Sequence, residues 1–296
     1  MNKKVRIIGI PMDLGQKHRG VSMGPGALRY SGLASALHNL GYLVEDSGDI
    51  NVPIRDTVMD NKKIKFTPII QRICNLAYDK GEKAVKEGYI PLFLGGDHSI
   101  SIGTVGGISV TEEVGLIWID AHGDFNTFDT TISGNIHGMA LSALLNYGDK
   151  KLTNIGRKGP KVKENNVVIV GLRKVDEEEQ RLIKSSGITV FTMKDIDEMG
   201  MSCIAHKIAN KFDKLKKVHV SLDLDCLDPV VAPGVGTPVN GGITYREAHL
   251  LMEIISNTKK LSSLDIVEVN PMLDIKNQTA LIAVELAVSL FGKAIL

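Results

Sequence analysis

The chain has 296 residues, with 35 Lys plus Arg against 34 Asp plus Glu, a formal charge of +1, and 43% hydrophobic and 23% charged residues. That near-balance leaves no basic excess to hold a phosphate backbone, so nucleic acid is not expected as a partner. Disorder is not expected either, because the acidic surplus that marks such chains is missing, and no apolar run approaches the roughly 18 residues of a membrane helix.

The elements alternate from end to end. Residues 5–10 are a β-branched apolar run that stops at Pro11 and Asp13, too short for a signal-peptide core. A helix over 25–40, with Pro25 near its first position, precedes a strand over 42–46 and a loop over 51–65. Apolar residues Ile69, Ile70, Ile73, Leu76, Ala77 and Val85 give helical spacing to 67–87. There follow a strand over 90–94, a helix over 99–107, a strand over 115–119 and a helix over 138–147. A basic loop over 148–166 carries Lys150, Lys151, Arg157, Lys158, Lys161 and Lys163, read as solvated surface charge. Strands over 167–171, 188–192, 218–224 and 264–269 are then each followed by a helix, over 176–186, 202–212, 244–256 and 279–291.

Strand–helix alternation argues for an α/β fold with a parallel sheet covered by helices, and the near-continuous apolar runs suit strands buried on both faces. No linker, repeat or composition shift marks a boundary, so a single domain over 1–296 is expected. Cys74, Cys203 and Cys226 cannot all pair and match no zinc spacing, which points to a reducing, cytoplasmic setting.

Ligands in such sheets sit beyond the carboxyl ends of the strands. Three of those ends are unusual. Gly95-Gly96-Asp97-His98-Ser99 permits a tight turn and sets Asp and His at a helix start, where a simple cap is the plainer reading. In Asp120-Ala121-His122-Gly123-Asp124, continuation of the strand would bring Asp120, His122 and Asp124 to one face. In the run from His219 to Asp228, alternation puts His219, Ser221, Asp223 and Asp225 together; His219 lies deeper and reads as a buried, hydrogen-bonded histidine. Together the ends offer His98, Asp120, His122, Asp124, Asp223 and Asp225. Clustered carboxylates repel unless a cation or protons compensate them. An oxygen-rich set with imidazole and no thiolate suits a hard divalent ion such as Mn2+, and so many groups suit two ions sharing carboxylates.

These three segments resemble the signature motifs of the ureohydrolases, arginases above all, over nearly the whole chain from Gly20-Val21-Ser22-Met23-Gly24-Pro25 to Glu268-Val269-Asn270-Pro271. The resemblance implies a three-layer α/β/α fold around a mostly parallel eight-stranded sheet, with two Mn2+ per subunit held by those six residues. It implies hydrolysis of L-arginine to L-ornithine and urea by a metal-bridging hydroxide that attacks the guanidinium carbon. Residues 126–138 resemble the loop that holds the amino-acid end of arginine. Asn126 and Ser133 would then donate to the α-carboxylate, with Thr131 and Asn135 close by. Asp176 is similar to the residue that meets the α-amino group, with Glu179 as its companion. Asp124 would pass the hydroxide proton to the leaving amine. His137 resembles a proton shuttle, Glu268 a guanidinium partner, and Thr237 a support for Glu268. Lys174 and Cys226 depart from the pattern, which often has an acid at the first position and Gly at the second. The alternatives are a ureohydrolase of another guanidino compound, such as an agmatinase or guanidinobutyrase, and an inactive metal-binding relative. A homo-oligomer is implied, a hexamer of the bacterial kind before a trimer, because the chain ends soon after its last helix.

Overall fold

The computed structural model describes residues 3–58, 60 and 64–294; residues 59 and 61–63 of the predicted 51–65 loop lie outside the described residues. Every run read as a strand forms one, with ends displaced by no more than three residues: β1 (Lys4–Ile10), β2 (Leu43–Asp49), β3 (Tyr89–Gly95), β4 (Val114–Ile119), β5 (Val167–Leu172), β6 (Thr189–Thr192), β7 (Lys217–Asp223) and β8 (Leu261–Val267). They join into one sheet of order β2-β1-β3-β8-β7-β4-β5-β6, and every neighbouring pair is parallel.

Alternate side chains divide between two apolar layers, as the pleat requires. Val5, Ile7, Leu92, Leu94, Ile117 and Ile119 face one layer, together with α1 (Gly24–Tyr30), α2 (Leu33–Asn39), α8 (Met193–Met199), α9 (Met201–Lys211), α10 (Tyr245–Asn257) and α11 (Gln278–Leu290). Ile8, Ile10, Phe93, Leu116 and Trp118 face the other, against α3 (Thr67–Lys86), α4 (Ser101–Ile108), α5 (Ala140–Leu144), α6 (Lys150–Thr153) and α7 (Glu177–Ser185). The fold is therefore a three-layer α/β/α sandwich. Among the described residues no helix is long and apolar enough to cross a membrane.

The differences from the sequence reading are local. The helix predicted over 25–40 is two helices, because Gly32 takes a left-handed φ of +83° between them. The helix predicted over 138–147 shrinks to α5 behind a single 3-10 turn at His137–Met139. Helix α8 was not predicted, although Thr192 and Asp195 form a capping box at its start that the sequence displays. Lys161, placed among solvated charges, is buried. Its Nζ donates to the carbonyls of Thr153, Arg157 and Gly159 at 2.6, 2.5 and 2.9 Å, tying the basic loop together.

Gly96 positions the site through packing rather than through an unusual φ. A Cβ there would lie 1.8 Å from the backbone oxygen of Met12, so the β3 end can rest on the 11–18 loop only without a side chain. Gly96→Ala is expected to lower stability by about 3 kcal/mol, the upper end for overpacking, because the atom met is backbone. A urea-unfolding midpoint within error of the parent would contradict this.

Candidate active site

The order of strands brings the unusual ends together. β3, β8, β7 and β4 are consecutive at the centre of the sheet, and their carboxyl ends carry His98, Glu268, Asp223 and Asp120. The motifs are far apart in the chain and adjacent in space for that reason.

His98 is fully buried, and its Nδ1 lies 3.1 Å from one carboxylate oxygen each of Asp120, Asp124 and Asp223. One ring nitrogen cannot satisfy three carboxylates, and both His98 Nδ1 and Asp124 Oδ2 lack a hydrogen-bond partner. His98 Nε2 meets Ser221 Oγ at 2.9 Å, and the ring stacks on Trp118 at 3.9 Å. With Nε2 donating, Nδ1 is left as a lone pair aimed at the carboxylates, the tautomer a cation needs.

A second group adjoins the first. His122 Nδ1 lies 3.0 Å from Asp225 and 3.5 Å from Asp120. Two sets of atoms are therefore close enough to hold an ion, His98–Asp120–Asp223 and Asp120–His122–Asp225, and they share Asp120. Trp118 Nε1 donates to Asp120 Oδ2 at 3.0 Å and the His122 N–H to Asp120 Oδ1 at 2.7 Å, fixing the shared carboxylate.

The electrostatics say that protein alone does not balance this cluster. Burial, then the charges of Asp225 and Asp120, push the Asp223 carboxyl well above its ordinary range. Burial and the Asp120 charge raise Asp124 to about 6. For His122, burial disfavours the charged form, but the Asp225 and Asp120 carboxylates outweigh it and push the imidazole up to about 12. Protons are drawn to where positive charge is missing, and the six donors fit divalent cations in their place.

The route to convergence differs from strand alternation in two places. β4 stops at Ile119, so Asp124 reaches the cluster from a loop with a φ of +48° rather than along a continuing strand. β7 stops at Asp223, and Asp225 sits on a 3-10 turn over Leu224–Cys226 whose N–H bonds to Asp223 Oδ1 at 2.8 Å. Cys226 is buried in the apolar layer, and its φ is not left-handed, so it needs none of glycine's freedom. His219 is buried and bonded to Ser263 Oγ at 2.7 Å, as expected.

A cleft of about 170 Å³ opens above the cluster, lined by His122, Asp124, Asn126, Ser133, His137, Gly138, Lys174, Val175, Asp176, Glu179 and Thr237. Asn126 Nδ2 donates to Asp176 Oδ2 at 3.2 Å, which joins two of the predicted contacts on one wall. Glu179 is buried and receives the N–H groups of Phe125 and Asp176 at 2.8 and 3.1 Å, so it holds that wall from behind. Thr131 and Asn135 are not among the lining residues. Thr131 Oγ1 takes the Gly134 N–H and Ser133 Oγ the Asn135 N–H, at 2.9 and 3.2 Å, which shapes the loop. Thr237 donates to Asp225 Oδ2 at 2.9 Å and not to Glu268, a correction to its predicted partner.

Glu268 is buried below His137 with a strained φ of +65°. Its Oε1 accepts from the His98 N–H at 3.0 Å and from His137 Nδ1 at 2.9 Å, and its Oε2 from Gln16 Nε2 at 2.6 Å. Ser221 lies on the motif face, as the alternation of β7 predicts; Gln16 and Trp118 are not expected from the sequence reading, although Trp118 lies two residues before Asp120 and so on its face of the strand, whereas Gln16 carries no such signal.

Residues 3–292 match the Arginase family. The arginase of Bacillus subtilis (strain 168) is 48% identical over 297 residues, covering 100% of both chains. That of Brevibacillus brevis is 47% identical over 302 residues, again 100% of both. The crystal structure of arginase from Bacillus caldovelox superposes with a TM-score of 0.96 at 45% identity, covering 99% of this chain and 100% of that one.

Proposed function

The chain belongs to the arginase family, a hydrolase, and on that premise we propose that it converts L-arginine and water to L-ornithine and urea with two Mn2+ per subunit. His98, Asp120, Asp124 and Asp223 would hold one ion and Asp120, His122 and Asp225 the other. The observation that carries this reading is the pair of donor groups sharing Asp120 beneath the cleft. Oxygen and imidazole donors without thiolate suit Mn2+. When bound, such ions lower the pKa of water enough to supply a nucleophile at neutral pH.

The chain's own residues orient and move protons. Asn126 and Ser133 donate to the α-carboxylate, Asp176 takes the α-amino group, and Thr131, Asn135 and Glu179 set the shape of that wall. Glu268 accepts from the guanidinium and so turns its carbon toward the metal side. Asp124 Oδ2, unpartnered and adjacent to His98, carries a proton to the leaving amine. His137 bonds Glu268 through Nδ1, which leaves Nε2 to exchange a proton with the cleft. Thr237 steadies Asp225.

The test is urea release from L-arginine with added Mn2+, against a chelator-treated control and against agmatine. Faster turnover of agmatine would favour a guanidino substrate without an α-carboxylate, and no turnover of either would favour an inactive relative. Asn126→Ala is expected to raise KM for arginine about tenfold, the worth of one hydrogen bond to a charged group, with the smaller effect on agmatine. Equal effects on both substrates would remove Asn126 from the carboxylate contact. A single catalytic domain, a cytoplasmic setting and a homo-oligomer, hexameric before trimeric, complete the reading; the unbroken sheet with strands from both ends of the chain supports the first. Sedimentation velocity tests the last.

A further inference from the structure

We propose that Gln16, on the loop between β1 and α1, is a positioning residue for the guanidinium end of the substrate. The inference rests on the arginase reading of the cleft and adds a residue to it. Gln16 is 1% exposed, and its Nε2 donates to Glu268 Oε2 at 2.6 Å. An ionised carboxylate only accepts, so the amide NH2 faces Glu268 and the carbonyl Oε1 turns away.

That Oε1 is buried without a partner. It lies beside Gly236, next to Thr237 of the cleft wall, where a Cβ on Gly236 would stand 3.0 Å from it. A buried acceptor left unmatched is unfavourable, and a planar guanidinium brings several N–H donors in one plane. Gln16 thus locks the carboxylate with one end of its amide and presents a neutral acceptor with the other.

The loop is held where this requires. The Gly15 N–H donates to Asp97 Oδ2 at 2.7 Å, and the Gly15 carbonyl accepts from the His137 N–H at 3.1 Å. Arg55 Nη1 caps the Gln16 carbonyl at 2.6 Å, and Asn270 Nδ2 the Arg19 carbonyl at 2.8 Å. Gly96 N–H and Asp97 N–H bond Ile10 and Met12 carbonyls at 2.9 and 2.8 Å. The Gln16 side chain is therefore delivered to Glu268 by backbone anchored on the same strand end that carries His98.

The experiment uses Mn2+-loaded enzyme and two inhibitors, millimolar guanidinium ion and L-ornithine. Gln16→Leu is expected to raise the guanidinium inhibition constant at least tenfold and lower kcat/KM for arginine about 10- to 100-fold, with the ornithine constant and bound Mn2+ within twofold of the parent. Gln16→Asn, which keeps the amide but withdraws it by one methylene, is expected to do the same to a smaller degree, and it decides the matter by the same criteria where Gln16→Leu does not fold. An unchanged guanidinium constant overturns the proposal. So does an equal rise for ornithine, which would mean general damage to the cleft, or loss of Mn2+, which would assign Gln16 to the metal site. Failure of the parent enzyme to release urea from arginine would instead overturn the reading on which the proposal rests.

Discussion

Asp120→Ala is expected to reduce urea release from L-arginine by at least about 10³-fold and to strip metal from both positions, with the far-ultraviolet circular dichroism spectrum retained. Asp120 is the one residue common to the two donor groups. Its oxygens are fixed by Trp118 and by the His122 N–H, which hold the shared carboxylate between the two groups. Metal analysis of the purified variant checks the claim directly, and two tightly bound ions in active Asp120→Ala protein would sink it. The same geometry sets the pH dependence of loading. Without metal, His122 is pushed up to about 12 and carries a proton near neutrality, Asp124 takes one as pH falls through about 6, and Asp223 holds its proton well above the ordinary carboxylate range. Metal must displace those protons, so affinity rises with pH and falls as acid returns them. Calorimetric titration of apoprotein with Mn2+ in buffers of different ionisation enthalpy reads the proton release; none released would contradict the sign.

Glu268→Gln is the second large effect, expected to lower kcat/KM for arginine about 10²- to 10³-fold with bound metal unchanged. Three donors converge on this carboxylate, from His98, His137 and Gln16, and only an ionised, acceptor-only group satisfies them all. An amide would set NH2 against one of those donors and lose the charge that the guanidinium meets. A second readout follows from His137. Burial disfavours its charged form, but the hydrogen bond and charge of Glu268 outweigh that and raise it to about 9. A raised folded-state value stabilises the fold below the ordinary histidine range, and that contribution is lost as pH rises through about 9. Removing the Glu268 charge lets His137 fall back, so the variant is expected to lose the decline in thermal stability between neutral pH and pH 9. A parent-like stability profile in Glu268→Gln would show that the pair is not coupled.

Much of this is legible in the amino-acid sequence. The apolar runs locate all eight strands: the central ones carry the continuous apolar signature of burial on both faces, whereas the edge strands β2 and β6 are exposed or half-buried and show it only in part. The acidic and histidine-bearing strand ends stood out because the carboxylates are too many and too close in sequence to be plain surface charge. Less visible were features that depend on a single backbone angle. Gly32 broke a helix whose apolar spacing ran through it, and Asp124 entered the site with a left-handed φ rather than by strand alternation. Thr237 was expected to support Glu268 and instead bonds Asp225, because which strand end its hydroxyl meets is set by the packing of a loop and not by the local sequence. Lys161 looked like one more exposed lysine in a basic loop, and only the fold of that loop supplies the three carbonyls that bury it.

By itself, then, the sequence determined the alternation, the parallel sheet and the residue types at the site, since hydrophobic period and donor chemistry are properties of short segments. The near-equality of 35 bases and 34 acids hid a cluster of four aspartates, because a sum over the chain carries no position. The tertiary structure alone decided that β3, β8, β7 and β4 stand side by side, that Asp120 is shared, and that Gln16 reaches Glu268 across 252 residues. Those are contacts between segments distant in the chain, fixed by how layers pack and strands order, and no local pattern encodes them.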